Sequence, residues 1–333
     1  MDYPRKPPLQ SILVFGASAH IGGPLADYIV RHASHVKLRL ASSVEEKCGE
    51  LRARFPSAEV VYANYYDLPS MERALDGMEG CYVLTPDFLD EHVAMSVLNL
   101  AAKHTGALRH MVRICADPPG LTLARVPAKM HEYGGGTAVQ HIKAKALLEQ
   151  FDLPITFINH AGWYFDNLLS WLAKPILAKR KLVMAWDRKV LHVDPAELGE
   201  GAARILLSDD ARYIGQFLQF DNGQDFLAWS EIAAMMSEEF GVPIAYDGTP
   251  EGFVDELGPG IRAYWSRVGV FARKGIDPTD YFLNYFRLIE FDNEPAWRRT
   301  DTLERVLGRR PKTMRQWLKE HREFFVRGMG LES

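Results

Sequence analysis

From Ser11 to about Pro154 the chain alternates short aliphatic or β-branched runs with amphipathic stretches, and turns mark each change of period. The apolar runs predict strands at Ile12–Phe15, Val36–Leu40, Val60–Ala63, Cys81–Leu84, His110–Cys115 and Ile155–Asn159. Helical periodicity fills the gaps at Ile21–His32, Val44–Arg54, Met71–Leu75, Glu91–His104 and Ala138–Phe151. Strands that alternate with helices need crossover connections, and these give a parallel sheet covered on both faces. The predicted class is α/β, doubly wound.

After Asn159 the rhythm loosens. A helix is expected over Leu168–Ala178, a short strand at Leu191–Asp194, a small-residue helix over Glu197–Leu207, a strand at Phe217–Phe220, and an amphipathic helix over Ser230–Phe240 with Ser230 as its N-cap. The Gly/Pro-rich stretch Pro250–Gly260 separates this part from the aromatic-rich segment Tyr264–Phe291, read as a mobile cover. The expected organisation is a nucleotide-binding domain over residues 1–160 and a smaller, mainly helical substrate domain over 161–333, with later segments returning to the sheet.

Composition narrows the function. The 39 basic and 43 acidic residues leave a formal charge of −4, so no global positive field collects a phosphate backbone, and nucleic acid is not an expected partner. Three scattered cysteines, Cys48, Cys81 and Cys115, suit packing in a reducing compartment better than a disulfide framework or a zinc cluster. His131, His192 and Asp194 have no metal-ligand spacing, and no metal is expected. The N-terminus lacks a long apolar run, and no later segment has the length a bilayer demands, which predicts a soluble, cytoplasmic protein, monomeric or homodimeric.

The segment ILVFGASAHIGG ends a strand at Gly16 and opens a helix at Gly22. Such a turn presents backbone N–H groups and the positive end of a helix dipole, which together hold a pyrophosphate, so Gly16, Ser18, Ala19, His20, Ile21 and Gly22 are the predicted phosphate cradle of a Rossmann-type domain. An acid at the tip of the second strand would accept from the ribose 2′-OH and repel a 2′-phosphate. The tip reads Leu38-Arg39-Leu40-Ala41-Ser42-Ser43, without one. Ser42 and Ser43 can donate to phosphate oxygens, and Arg39 or Lys47 can supply charge, so NADP(H) is expected over NAD(H).

The segments GASAHIGG, ANYYDLPSMERALDGMEGCYVLTP, LPITFINHAGWYFDNLL, HVDPAELGEGAARIL and TLERVLGRRPKTMRQWLKEH, in that order, resemble the NmrA-like group of atypical short-chain dehydrogenases. That group includes quinone and triphenylmethane reductases, isoflavone-type reductases and redox-sensing regulators. The resemblance implies that Gly16, Ser18, Ile21 and Gly22 line the pyrophosphate, and that Thr85 and Pro86 lie near the nicotinamide-side ribose. Asn64 stands where the group often has an aspartate near the adenine, and Ala41 where many members carry the arginine that grips a 2′-phosphate. These two departures alter the contacts the group would supply.

Short-chain dehydrogenases usually carry a Tyr-x-x-x-Lys pair; the corresponding helix here reads His141-Ile-Lys143-Ala-Lys145. His141 as proton donor and Lys145 as ribose anchor are one turn apart, and histidine ordinarily titrates near neutrality. Cys115 occupies the place of the usual serine and is read as packing beside the cofactor. Tyr133, before the triple glycine 134–136, is the alternative acid, and water a third. Trp163, Tyr164 and Asn167 follow a strand, hence face the carboxyl edge, and with Trp265, Tyr281, Tyr285 and Phe286 they predict an apolar wall for a flat substrate. The leading expectation is an NAD(P)H-dependent reductase of a hydrophobic carbonyl, quinone, imine or conjugated alkene. The alternatives are a non-catalytic redox sensor and a cofactor-retaining isomerase or cyclase.

Overall fold

The computed structural model describes residues 3–86, 88–134, 136–160 and 162–331. Asp87, Gly135 of the predicted triple-glycine loop and Ala161 lie outside the described residues.

In the N-terminal half the order is β1 (Ser11–Phe15), α1 (Gly22–His32), β2 (Lys37–Ser42), α2 (Glu45–Arg54), β3 (Glu59–Tyr62), α3 (Leu68–Leu75), β4 (Gly80–Val83), α4 (Glu91–Thr105), β5 (His110–Cys115), α5 (Ala128–Glu132), α6 (Thr137–Leu148) and β6 (Ile155–Asn159). Then follow β7 (Trp163–Tyr164), a 3₁₀ turn (Phe165–Leu169), α7 (Ala173–Lys179), β8 (Lys181–Val183), β9 (Lys189–Val193), α8 (Pro195–Leu207), β10 (Phe217–Gln219), β11 (Phe226–Ala228), α9 (Trp229–Phe240) and β12 (Ala245–Asp247). Helices α10 (Pro250–Glu256), α11 (Gly258–Trp265), α12 (Gly269–Lys274), α13 (Pro278–Tyr285), a π-helix (Phe286–Phe291), α14 (Thr302–Leu307), α15 (Met314–Glu320) and α16 (Arg322–Gly328) complete the chain.

Seven parallel strands form the main sheet in the order β10-β6-β5-β4-β1-β2-β3. The chain winds outward from β1 in both directions, so a crevice opens at the carboxyl edge between β1 and β4, where doubly wound sheets take their ligands. Strands β1, β4 and β5 are buried along their whole length because helices cover both faces. One face packs Ile12, Val14, Leu25 and Ile29 against Leu198, Ala202 and Ile205 of α8, and the other packs Leu13, Phe15 and Val83 against α3, α4 and α6. A third core, among them Phe165, Trp229, Phe253 and Phe286, holds the C-terminal half. β10 joins the main sheet beside β6, so the later half does return to it.

Two local expectations are corrected. Ser230 does not cap α9, whose N-cap is Ala228; instead its hydroxyl donates to Asp187 at 2.5 Å and its N–H to the same carboxylate at 3.1 Å. The Gly/Pro-rich stretch expected to separate the two parts forms the helices α10 and α11, each with Pro in its first turn, where the missing N–H costs nothing.

Helix α1, which carries the glycine turn at its head, is fixed by close approach of α8. A Cβ on Gly199 would fall 2.3 Å from the Ile21 carbonyl oxygen and 2.9 Å from the Leu25 nitrogen, so only glycine lets the two backbones meet. Gly199→Ala is expected to lower the unfolding free energy by about 1–3 kcal/mol through overpacking. Gly49→Ala on α2 has nothing within 4 Å to meet and should be neutral or raise it by about 0.5–1 kcal/mol. Urea denaturation of the two variants checks the pair.

Candidate functional site

At the switch point, β1 ends on Gly16, whose φ of +71° is open to glycine and strained for other residues. The Ala19 N–H closes the turn on the Gly16 carbonyl at 2.9 Å, while Ser18, Ala19 and His20 are exposed and Ile21 is buried against α8. Gly22 has room for no side chain, since its Cβ would sit 2.4 Å from the Gly16 carbonyl oxygen. An exposed tight turn at the head of an eleven-residue helix is a fitting cradle for an anion.

The tip of β2 differs from expectation in one residue. Arg39 points toward the opposite, amino edge of the sheet. Its guanidinium is buried, donates to the carbonyls of Ala74 at 2.9 Å and Asp76 at 2.8 Å, and pairs with Glu59 at 3.0 Å. It caps the C-terminus of α3 and is not available to a 2′-phosphate. The Ser42 hydroxyl is bonded to the Val44 backbone, which leaves exposed Ser43 and Lys47 at the tip, beside the carboxylates of Glu45 and Glu46 in the first turn of α2. The Asn64 side chain closes its own turn, accepting from the Tyr66 N–H at 3.0 Å.

Beyond β4, Thr85 is buried and donates to Glu91 at 2.5 Å, and Pro86 is exposed. Glu91 opens α4, where the helix dipole favours a carboxylate, and accepts from fully buried Arg113 of β5 at 2.6 Å. Sequence reading missed this pair. A charge in the middle of the apolar run His110–Cys115 was the signal that could have found it. Cys115 is buried with its thiol pushed up by burial, which suits packing and not proton transfer. Asp117 just beyond is clamped by Asn159, which accepts from its N–H at 2.7 Å and donates to its carbonyl at 3.0 Å. Burial raises the Asp117 carboxyl to about 6.

Of the two candidates on helix α6, His141 alone lines the cavity. His141 lines the cavity wall, with burial pushing its imidazole down to about 4 and its Nδ1 buried without a protein partner. Lys145 does not line the cavity; it pairs with Glu149 at 2.8 Å, lies over the Phe217 ring, and its charge acts on Asp117 at the end of β5. The expectation that His141 titrates near neutrality is therefore corrected: desolvation keeps it neutral. Tyr133 is buried away from the cavity lining. Its hydroxyl donates to Asp280 at 2.6 Å and accepts from Asn284 at 2.9 Å, and burial drives its pKa up, so it fastens α13 to the loop before α6.

The cavity itself has a volume of about 430 Å³. Trp163, Tyr164, Asn167, Trp265 and Tyr285 all line it, together with Trp171, Tyr281, Phe282 and Phe286. Leu84, Thr85, Ile114 and Ala116 put the ends of β4 and β5 at its floor, so it opens on the same edge as the glycine turn. Above them, the π-helix carries Glu290 into the wall. Its carboxylate accepts from Trp163 Nε1 at 2.9 Å and from Arg188 Nε at 2.6 Å, and Arg188 in turn donates to the Ala185 carbonyl at 2.8 Å and lies over the Phe286 ring. π-helical turns are rare and recur at functional sites. His160, buried beneath Tyr164, donates from Nδ1 to the Phe220 carbonyl at 2.8 Å and is held neutral by burial at about 4. Sequence reading missed Glu290 and Arg188 as well; the acid inside Phe286–Phe291 was their visible trace. Among the described residues no cluster of three or more His, Cys, Asp or Glu is placed to hold a metal, and no helix is long and apolar enough to cross a membrane.

The NmrA-like family model matches residues 8–264, and the chain belongs to that family. Its fold is similar to that of triphenylmethane reductase from Citrobacter sp., with a TM-score of 0.71, 17% identity and coverage of 94% of this chain and 99% of that one. The NADPH-dependent quinone oxidoreductase from Escherichia coli is similar at a TM-score of 0.65 and 18% identity over 93% and 98% of the two chains. So is NmrA, a negative transcriptional regulator solved with NADP, at 0.68 and 18% over 97% and 98%. The roof of the cavity, from Trp265 to Glu290, falls outside the matched family region.

The roof is fastened by charges that cannot be separated cheaply. Arg188→Met leaves Glu290 buried and uncompensated and is expected to destabilise the fold by about 3–5 kcal/mol. Adding Glu290→Gln, which removes the orphaned charge and can still accept from Trp163, should recover most of that loss in chemical denaturation. A single variant within about 1 kcal/mol of wild type would contradict the pairing.

Proposed function

We propose that the protein is an NAD(P)H-dependent reductase of hydrophobic, flat acceptors, a quinone, imine, carbonyl or conjugated alkene, with NADP(H) preferred. The observation that carries this reading is the aromatic cavity set on the carboxyl edge beside the glycine turn, with two histidines, His141 and His160, held neutral in its wall. The turn Gly16–Gly22 fits a pyrophosphate, and Ser43 and Lys47 are the groups at the β2 tip free to meet a 2′-phosphate. Bound there, the dinucleotide would supply a hydride. Thr85, fixed by Glu91 and Arg113, and the ends of β4 and β5 would position its reactive end under the cavity.

His141 acts as a hydrogen-bond donor in its neutral form. Held near 4 by burial, it carries no proton to give as an imidazolium at neutral pH, but a neutral imidazole N–H polarises an acceptor oxygen or nitrogen and stabilises the charge that develops on it. Water completes the protonation. The aromatic walls exclude bulk solvent from the acceptor and orient it by stacking. A second reading, the non-catalytic redox sensor, draws on one observation: Lys145 is paired with Glu149 and does not line the cavity that His141 lines.

NADPH is expected to quench or shift protein fluorescence with an affinity about tenfold above that of NADH, and Lys47→Ala should narrow the gap. NADPH should be consumed with a quinone or aromatic imine. His141→Ala should lower kcat by about 10²-fold, and the wild-type rate should show no His141 ionisation between pH 5.5 and 8. Tight cofactor binding without turnover across such acceptors would favour the sensor.

A further inference from the structure

Beside the aromatic cavity lies a second, smaller space of about 70 Å³, between the first turns of α4 and α6. His141, Trp265, Tyr281 and Phe282 line both, so the two spaces adjoin at the level of the roof. None of the floor residues Leu84, Thr85, Ile114 and Ala116 lines the smaller one; Glu91 and Gln140 do. The loop before α6 closes in tightly here, since a Cβ on Gly136 would fall 2.1 Å from the Tyr281 hydroxyl oxygen. That approach accounts for the last glycine of the run 134–136, to which the dinucleotide reading gives no role.

Glu91, Gln140 and His141 bring hydrogen-bond acceptors to this annex. Glu91 is buried, and its two oxygens take one bond each, from Thr85 at 2.5 Å and from Arg113 at 2.6 Å, which leaves a lone pair on both. The Gln140 amide nitrogen donates to the Gly134 carbonyl at 2.9 Å, and its oxygen is an acceptor. A neutral imidazole that donates one N–H keeps one bare nitrogen, and Nδ1 of His141 is buried without a protein partner. No lysine or arginine is among the described residues that line the annex.

We infer that the annex receives a hydroxyl or amino substituent of the hydride acceptor, so that the protein selects flat molecules bearing such a group at one edge. The inference rests on the proposed acceptor cavity and narrows its substrate class. The volume admits a group of a few atoms and no further ring. A hydroxyl or amine there donates to Glu91, Gln140 or the bare nitrogen of His141. A methyl in the same place leaves those buried acceptors unmet, which is how a site built for a hydrogen bond rejects an analogue without one. The dinucleotide carries an amide of its own, but it would lie along the floor, whose residues are absent from the annex.

The test is equilibrium dialysis of the intact protein, with and without saturating NADPH, against three probes of one shape: 2-naphthylamine, 2-naphthol and 2-methylnaphthalene. The amine and the naphthol should bind about tenfold more tightly than the methyl compound, the ratio one hydrogen bond to a charged or buried partner supplies. Gln140→Leu, an apolar replacement of similar size, should bring the three dissociation constants close together. Equal affinities in the wild type, or a preference that Gln140→Leu leaves unchanged, would overturn the inference. A preference seen in the free protein and erased by NADPH would give the annex to the dinucleotide amide, and would overturn it too. Failure of NADPH to bind is a separate result, which overturns the proposed function and this inference with it.

Discussion

Two charges, Arg188 and Glu290, are taken out of water together where the C-terminal helices close over the sheet. Desolvation costs several kcal/mol for each ion, and the pair holds because every strong contact is met inside. Glu290 is answered by Arg188 and Trp163, and Arg188 also by the carbonyls of Ala185 and Trp186 and the face of Phe286. Trp163 belongs to the wall, Arg188 to the approach to β9, and Glu290 to the roof. One interaction therefore fixes three elements that the chain delivers from three places, and the cavity is the space left among them. Even so, burial raises the Glu290 carboxyl, so the pair pays for the shape of the cavity in electrostatic free energy.

On the sheet side the same logic recurs with other residues. Glu91 and Arg113 fix Thr85, and Gly199 lets α8 brace α1 below the phosphate turn. The floor, built by the ends of β4 and β5, lies within the region matched by the NmrA-like family model, whereas the roof residues from Trp265 to Glu290 lie beyond it.

Much of this floor was legible in the sequence because it rests on short-range rules. Period switches marked the six N-terminal strands of the sheet, and the glycines at 16 and 22 marked the turn. The wall residues Trp163, Tyr164 and Asn167 were legible because a residue just past a parallel strand must face the carboxyl edge. Direction and charge state were not. Arg39 lies close to the tip of β2, but alternation along the strand and the open carbonyls of α3 draw it to the other edge. Lys145 follows Glu149 on its own helix, and His141 loses its proton to desolvation that no local pattern displays. The Gly/Pro-rich stretch before Tyr264 read as a break between two parts because Pro in the first turn of a helix and Pro in a loop look alike until the helix behind it is seen.

The central claim is that the cavity holds an acceptor against the reactive face of a dinucleotide seated on the Gly16–Gly22 turn. Its most direct test is a single-turnover reaction with NADPH deuterated at nicotinamide C4 and an aromatic imine or conjugated alkene, whose reduced carbon keeps the transferred atom, followed by mass analysis of the product. The account predicts direct transfer of one deuterium to the acceptor, from one face of the nicotinamide alone. Product formed with hydrogen from solvent, or deuterium that stays wholly on the bound dinucleotide, would contradict it.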